Sequence, residues 1–161
     1  MTADELSRLI DRHAGALVLY ARQWTDAPED VVQTALLKLV RLGRPPENPV
    51  PWLYTVVRNA ARDAQRSERR RTKYETRRAE HTPEWFDPDS ATGLDAETAT
   101  EALSELPVEV REIVIAHLWG GLTFEQIAAT VGGSASTAYR RYVAGITTLR
   151  ASLGVSCPTL K

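Results

Sequence analysis

Proline inside a helix removes a backbone hydrogen bond and crowds the preceding turn, so its placement divides a chain into helix-competent and helix-breaking spans. Four of the nine prolines fall in Pro45-Pro46-Glu47-Asn48-Pro49-Val50-Pro51, two more flank Glu84-Trp85-Phe86-Asp87, and none lies in 52–82 or 108–157. The clusters are expected to be loops and the proline-free spans helices. Hydrophobic spacing agrees. Leu6, Leu9, Ile10, His13, Leu17, Tyr20 and Trp24 recur at three and four. Val32, Leu36, Leu39 and Val40 share a face after Pro28, and Trp52, Leu53, Val56, Val57, Ala60 and Ala64 form a stripe on an arginine-rich helix. No period-two pattern competes, so the fold class is all-α.

Length and composition exclude several functions. The 161 residues suit one medium domain or two small ones. No run reaches the roughly 18–20 apolar residues of a membrane span, so no membrane partner is expected. The start, Met1-Thr2-Ala3-Asp4-Glu5, is acidic and lacks a signal-peptide core, which makes the cytoplasm the expected location. Cys157 is the only cysteine, and His13, His81 and His117 are scattered, so neither a disulfide framework nor a metal site is expected. No cofactor motif, nucleophile–base pair or phosphate-cradling glycine loop is present, and the chain is not expected to be an enzyme.

The formal net charge of −1 conceals strong segregation. Residues 1–52 carry six Lys/Arg against seven Asp/Glu; 53–79 carry nine against three; 80–112 one against ten; and 113–161 four against one. Two basic blocks separated by an acidic one suggest nucleic acid touched at two places. Residues 72–100 also lose helical periodicity. The expected organisation is therefore two small helical domains, 1–72 and 101–161, joined by an acidic linker over 73–100.

The second domain carries the sharper motif. Val108 to Leu118 reads as an amphipathic helix through Val110, Ile113, Val114, His117 and Leu118. Thr123 with Gln126 offers a capping box for a short helix ended by Gly132-Gly133. Ser134 can cap a further helix that buries Ala138, Tyr142, Gly145, Ile146, Leu149 and Leu153. That is a helix-turn-helix, whose second helix fits the major groove of DNA. Ser136, Thr137, Tyr139, Arg140 and Arg141 lie off its apolar stripe and can bond phosphates or bases. A helical hairpin with merely solvated arginines is the bland alternative.

Leu106-Pro107-Val108-Glu109-Val110-Arg111-Glu112 followed by Gly121-Leu122-Thr123-Phe124-Glu125-Gln126-Ile127-Ala128 resembles the promoter-binding domain of bacterial RNA polymerase sigma factors, which reads the −35 element. Ala138-Tyr139-Arg140-Arg141-Tyr142 departs from the family's usual small aliphatic, lysine and Ser-Arg pattern, so base preference does not transfer. In the first half, Pro28-Glu29-Asp30-Val31-Val32-Gln33-Thr34-Ala35-Leu36-Leu37-Lys38-Leu39 resembles the sigma helix that docks on the β′ clamp helices. The resemblance assigns that contact to Asp30, Gln33, Thr34 and Val40; the family usually has glutamate where Thr34 stands. An acidic first turn that complements the helix dipole is the alternative for Asp30.

Pro51-Trp52-Leu53-Tyr54-Thr55-Val56-Val57-Arg58-Asn59-Ala60-Ala61-Arg62-Asp63 resembles the next sigma helix, which opens the −10 element and holds its non-template strand. The resemblance makes Asn48, Arg58, Asn59, Arg62, Arg66, Arg69 and Arg70 candidate contacts to that strand. Single-stranded recognition wants cations along the backbone and pockets for bases. Arg58, Arg62 and Arg66 are spaced four apart, and the loop 43–50 could form a pocket. Trp52 reads as core in preference to a stacking platform. Thr55 and Val56 replace the aromatic pair of primary sigma factors, as in the extracytoplasmic-function (ECF) group with only these two domains.

The resemblance implies core RNA polymerase (β′ clamp helices and β flap) and promoter DNA as partners, an anti-sigma factor as a further one, and a monomer when free. The acidic linker then threads polymerase channels, is a solvated spacer, or neutralises the basic helices in the free protein. A standalone helix-turn-helix regulator without polymerase binding is the alternative function, and an interaction protein serving chiefly as an anti-sigma target is a third.

Overall fold

The computed structural model describes residues 2–74 and 96–154, and most of the expected linker, with Glu84-Trp85-Phe86-Asp87, lies outside them. The described residues form seven helices and no strands. The first module holds α1 (Ala3–Ala21), α2 (Pro28–Arg41) and α3 (Pro49–Tyr74); the second holds α4 (Ala96–Ser104), α5 (Val108–Leu118), α6 (Phe124–Val131) and α7 (Ala135–Ser152). No helix among these residues is long and apolar enough to cross a membrane.

Local chemistry sets the boundaries. Thr2 and Glu5 form a capping box at the start of α1, each side chain bonding the other's backbone N–H. Pro28 starts α2, where a missing N–H costs nothing. The same rule corrects the loop expected through Pro51. Pro49 and Pro51 lie within the first turn of α3, where neither has an intrahelical bond to lose. α4 likewise begins at Ala96, inside the stretch that composition reads as linker, because Ala102 and Leu103 give it an apolar face to bury.

α1, α2 and α3 pack on one another around Leu17, Tyr20, Val32, Leu39, Leu53 and Val57. In the second module α5 and α6 both pack on α7, through Ile113, Ile127, Ala138 and Leu149. Burying such side chains stabilises each module by about 1.5–3 kcal/mol per large residue. Arg111 closes the end of α4, donating to the carbonyls of Leu103, Ser104 and Leu106 at 2.8, 3.2 and 2.7 Å.

The modules also touch. α5 lies against α1, and α6 against α3. That explains why Ile113, Val114, Ile115 and Ala116 are all buried on consecutive sides of α5. One part of the expected stripe does not hold: Leu118 is 50% exposed, because the chain turns away at Trp119-Gly120 before that position is covered.

Candidate nucleic-acid interface

The second module contains the expected helix-turn-helix. Thr123 and Gln126 make the capping box of α6, with Thr123 N–H donating to Gln126 Oε1 at 3.0 Å and Gln126 N–H to Thr123 Oγ1 at 3.3 Å. Gly132 and Gly133 both take φ of +93°, a backbone that side-chain-bearing residues rarely adopt, and so end α6 sharply. Ser134 then caps α7 by accepting from the Thr137 N–H at 3.2 Å.

Which side chains can enter a groove follows from helical rotation of about 100° per residue. Ala138, Gly145 and Leu149 are buried, and Ser136, Arg140 and Val143 lie on the opposite, exposed side. Tyr139 and Arg141 flank that face, both exposed; Thr137 is half-buried and engaged with Ser134, its Oγ1 3.0 Å from Ser134 Oγ. Arg140 Nη2 approaches Thr137 Oγ1 at 3.4 Å, which orients rather than occupies the guanidinium. Behind them stands an aromatic cluster. Phe124 meets Tyr139 edge-on at 5.4 Å, His117 stacks on Phe124 at 4.4 Å, and Tyr142 lies edge-on to His117 at 4.8 Å. His117 is fixed in turn by Nδ1–H donating to the Leu122 carbonyl at 2.8 Å.

On α2, Val32, Ala35 and Leu39 face the core while Asp30, Gln33, Thr34 and Val40 are exposed together. Val40 is 53% exposed and Leu37, between them, 48%. Leu37 was not among the residues the sequence singled out, although it falls off the Val32–Leu36–Leu39 stripe. A leucine there has no intramodular reason to be apolar.

α3 divides the expected −10 residues into three groups. Asn59, Arg66, Arg69 and Arg70 are exposed, with Arg66 only in a loose surface pair with Asp63 at 3.3 Å. Arg62 is half-buried. Arg58 is turned inward: its Nε donates to Glu112 Oε2 at 2.8 Å and its Nη2 to Oε1 at 3.1 Å, with side-chain exposures of 14% and 5%. Spacing of four drifts about 40° per step around a helix, so Arg58, Arg62 and Arg66 wind from the module boundary into solvent. Hydrogen bonding to the Glu112 carboxylate holds the pKa of the Arg58 guanidinium above its usual range, against the opposing pull of burial.

Around this pair the boundary is tightly built. Tyr54 is fully buried against Gly120, where any Cβ would strike both the Tyr54 hydroxyl and the Ala116 carbonyl. Thr55 Oγ1 lies 3.3 Å from Thr130 Oγ1. Asn48 lines a crevice of about 250 Å³ with His13, Val50, Gly121 and Gln126. Trp52 is half-buried and packed on the core. Glu112 escaped the sequence reading. Its signal was an acid directly before the apolar run Ile113–Ala116, where burial requires a cationic partner.

Residues 9–71 match the Sigma-70 region 2 family and residues 96–149 the Sigma-70, region 4 family, in that order along the chain. These two matches, on a fold of two helical modules with a helix-turn-helix in the second, define a sigma factor of RNA polymerase. Among curated relatives, the RNA polymerase sigma factor CarQ of Myxococcus xanthus is 35% identical, with 94% of this chain and 90% of the relative covered. The ECF RNA polymerase sigma factor SigL of Mycobacterium tuberculosis is 33% identical over 90% of this chain and 86% of its own. The chain belongs to the ECF sigma factors: it binds core RNA polymerase and directs promoter-specific initiation of transcription. Two solved structures share the fold: the sigma factor RpoE in complex with the anti-sigma factor NepR from Bartonella quintana, and CnrH in complex with the cytosolic domain of CnrY. They superpose with TM-scores of 0.77 and 0.63 at 24% and 22% identity. Both alignments cover 97% of this chain, with 100% and 92% of the respective neighbours.

Proposed function

We propose that the two modules divide the work of initiation. Residues 1–72 dock on core polymerase and hold the opened −10 strand, 101–161 read the −35 duplex, and 73–100 connect them. Asp30, Gln33, Thr34 and Val40, with Leu37 between them, form the face presented to the β′ clamp helices. Asn48, Asn59, Arg62, Arg66, Arg69 and Arg70 track the non-template strand, joined by Arg58 once it leaves Glu112. Ser136, Tyr139, Arg140 and Arg141 meet the −35 element, with Thr137 supporting the first turn. The second module is the one that meets the β flap. All of this is binding, not catalysis, and is carried out in the cytoplasm where the polymerase works.

The observation that carries this reading is the exposed face of α2. It sets two uncovered apolar side chains, Leu37 and Val40, beside an acid and two hydrogen-bonding side chains. A regulator that acts without polymerase has no use for it. Both structural neighbours are described with anti-sigma proteins, which supports an anti-sigma partner here as well.

The test is Asp30→Ala combined with Gln33→Ala. Both side chains are exposed, so the helical signal and melting temperature should stay at wild-type values while core-polymerase affinity falls at least about tenfold, or 1.4 kcal/mol. Wild-type capture of core polymerase by that variant removes α2 as the docking face. Run-off transcription over a promoter library then identifies the sequences recognised.

A further inference from the structure

α3 carries a second face. Around a helix that turns about 100° per residue, Asn59, Arg62, Arg66 and Arg70 fall on one side, and Ala64, Gln65, Glu68 and Thr72 fall on the side opposite. With the turn between α1 and α2, that second side walls a groove of about 920 Å³, whose lining includes Arg22, Gln23, Trp24, Arg71 and Lys73. We propose that this groove binds a nucleotide polyphosphate, with the base at Gln23 and Trp24 and the phosphates at Arg22, Arg71 and Lys73.

The floor supplies an acceptor. Gln23 is 7% exposed, and its Nε2 donates to the Tyr20 carbonyl at 3.0 Å. Only the NH2 end of an amide can donate, so that bond fixes which way the side chain is turned and leaves Oε1 without a partner. A buried acceptor left unmade costs free energy, and a ligand N–H that reaches it recovers that cost. The amino and ring N–H groups of nucleobases are such donors. Trp24 stands beside Gln23, buried and held edge-on to Tyr20 with ring centroids 5.2 Å apart, a fixed apolar wall for a flat ring.

The rim supplies positive charge. Four cations, Arg22, Arg69, Arg71 and Lys73, line the groove against two acids, Asp26 and Glu68. Arg71 Nη2 lies 3.0 Å from Glu68 Oε2 with both side chains exposed, a pair weak enough for a phosphate to displace, and a guanidinium can then bond phosphate oxygens bidentately. A bare anion would satisfy the rim alone. An accepting floor and a cationic rim together suit a ligand with a base at one end and several phosphates at the other. The volume lies within the roughly 300–1,000 Å³ of small-molecule sites. A ligand so placed ties the last turns of α3 to the α1–α2 turn and leaves the opposite side of α3 open to DNA.

Titration calorimetry on the full chain tests this, with ATP, inorganic tripolyphosphate and adenosine as probes at constant ionic strength. ATP should bind at one site, at least about tenfold more tightly than tripolyphosphate or adenosine, because it alone engages floor and rim together. Arg71→Ala with Lys73→Ala should weaken ATP and tripolyphosphate alike by about tenfold. Gln23→Met keeps the length of the buried side chain and should erase the preference for ATP while tripolyphosphate binds as before. Were that variant to unfold, hydrogen exchange on the wild-type chain decides: ATP should protect the amides of residues 22–24 more than tripolyphosphate does, and equal protection overturns the base contact. Arg8→Ala with Arg12→Ala removes the same charge from the exposed first half of α1 and should change neither affinity. Absence of saturable ATP binding overturns the proposal. Equal affinity for ATP and tripolyphosphate also overturns it, as does an equal loss on removing Arg8 and Arg12, since either marks a surface that attracts any polyanion. A non-promoter single-stranded oligonucleotide that displaces ATP would assign the groove to DNA phosphates and overturn it as well.

Discussion

Arg140 lies opposite the buried side of α7, and that position decides what its guanidinium meets when the helix enters a major groove. Two parallel N–H donors at the groove floor match guanine O6 and N7, whereas an arginine on the flank, as Arg141 is, meets phosphates. Arg140→Ala is expected to cost about 1–3 kcal/mol at one base pair of the −35 element and little elsewhere. Competition binding with singly substituted −35 duplexes checks this; an equal loss on every duplex would make Arg140 a phosphate contact. A second consequence at this scale concerns Tyr20 and Tyr54. Burial pushes both phenols above their ordinary 10.0, and the Glu112 carboxylate raises Tyr20 further. Because the folded-state value is the raised one, their contribution to stability is intact below pH 10.0 and is lost as pH climbs past it. In an alkaline titration, ionisation of these two should coincide with loss of compactness or helicity. Tyrosinate absorbance that saturates before either changes would contradict their burial.

Among the elements, α7 shows how closely the second module is packed. Gly145 sits where a Cβ would lie 2.6 Å from Val110 Cγ1 and 2.8 Å from Val114 Cγ2, so α5 and α7 approach at a distance only glycine permits. Two effects of Gly145→Ala oppose each other. Alanine gains about 1 kcal/mol in helix propensity, and overpacking costs about 1–3 kcal/mol. Since both neighbours are β-branched side chains with little freedom to retreat, overpacking should prevail, and calorimetry should show a lower melting temperature. A raised one would mean that the helices separate more easily than their packing suggests. The same helices show which features the sequence discloses. Caps at Thr123 and Ser134, the glycine turn and the buried stripe of α7 are local, and each follows from residues within a few positions. Glu112, Leu37 and the burial of Arg58 were not legible in that way. Each depends on what lies across a boundary, and periodicity along one helix cannot report the face of another. Pro49 and Pro51 misled for a different reason: proline disfavours the middle of a helix but suits its first turn, and composition alone does not distinguish the two.

For the molecule as a whole, near-neutrality arises by cancellation, and its parts should separate under salt. The basic block over 53–79 carries nine Lys/Arg against three Asp/Glu, and seven of these cations, from Arg58 to Lys73, lie on α3. Arg69 and Arg70 are exposed and in no ion pair among the described residues, while Arg66 and Arg71 are loosely paired with Asp63 and Glu68. If this track neutralises the promoter strand, each contact releases condensed counterions and adds about 0.7 to the slope of log affinity against log salt on single strands, or 0.9 on duplex. Arg69→Ala with Arg70→Ala should therefore flatten that slope by roughly 1.4 to 1.8 for the holoenzyme–promoter complex, weakening all promoters alike. Arg140→Ala should instead discriminate between promoters, because a base contact adds sequence information that a phosphate contact lacks. The two variants thus separate the functions of the two basic blocks within one titration. A slope unchanged by loss of both arginines would mean that the end of α3 lies off the DNA, confining the strand-holding surface to the turns around Asn59 and Arg62.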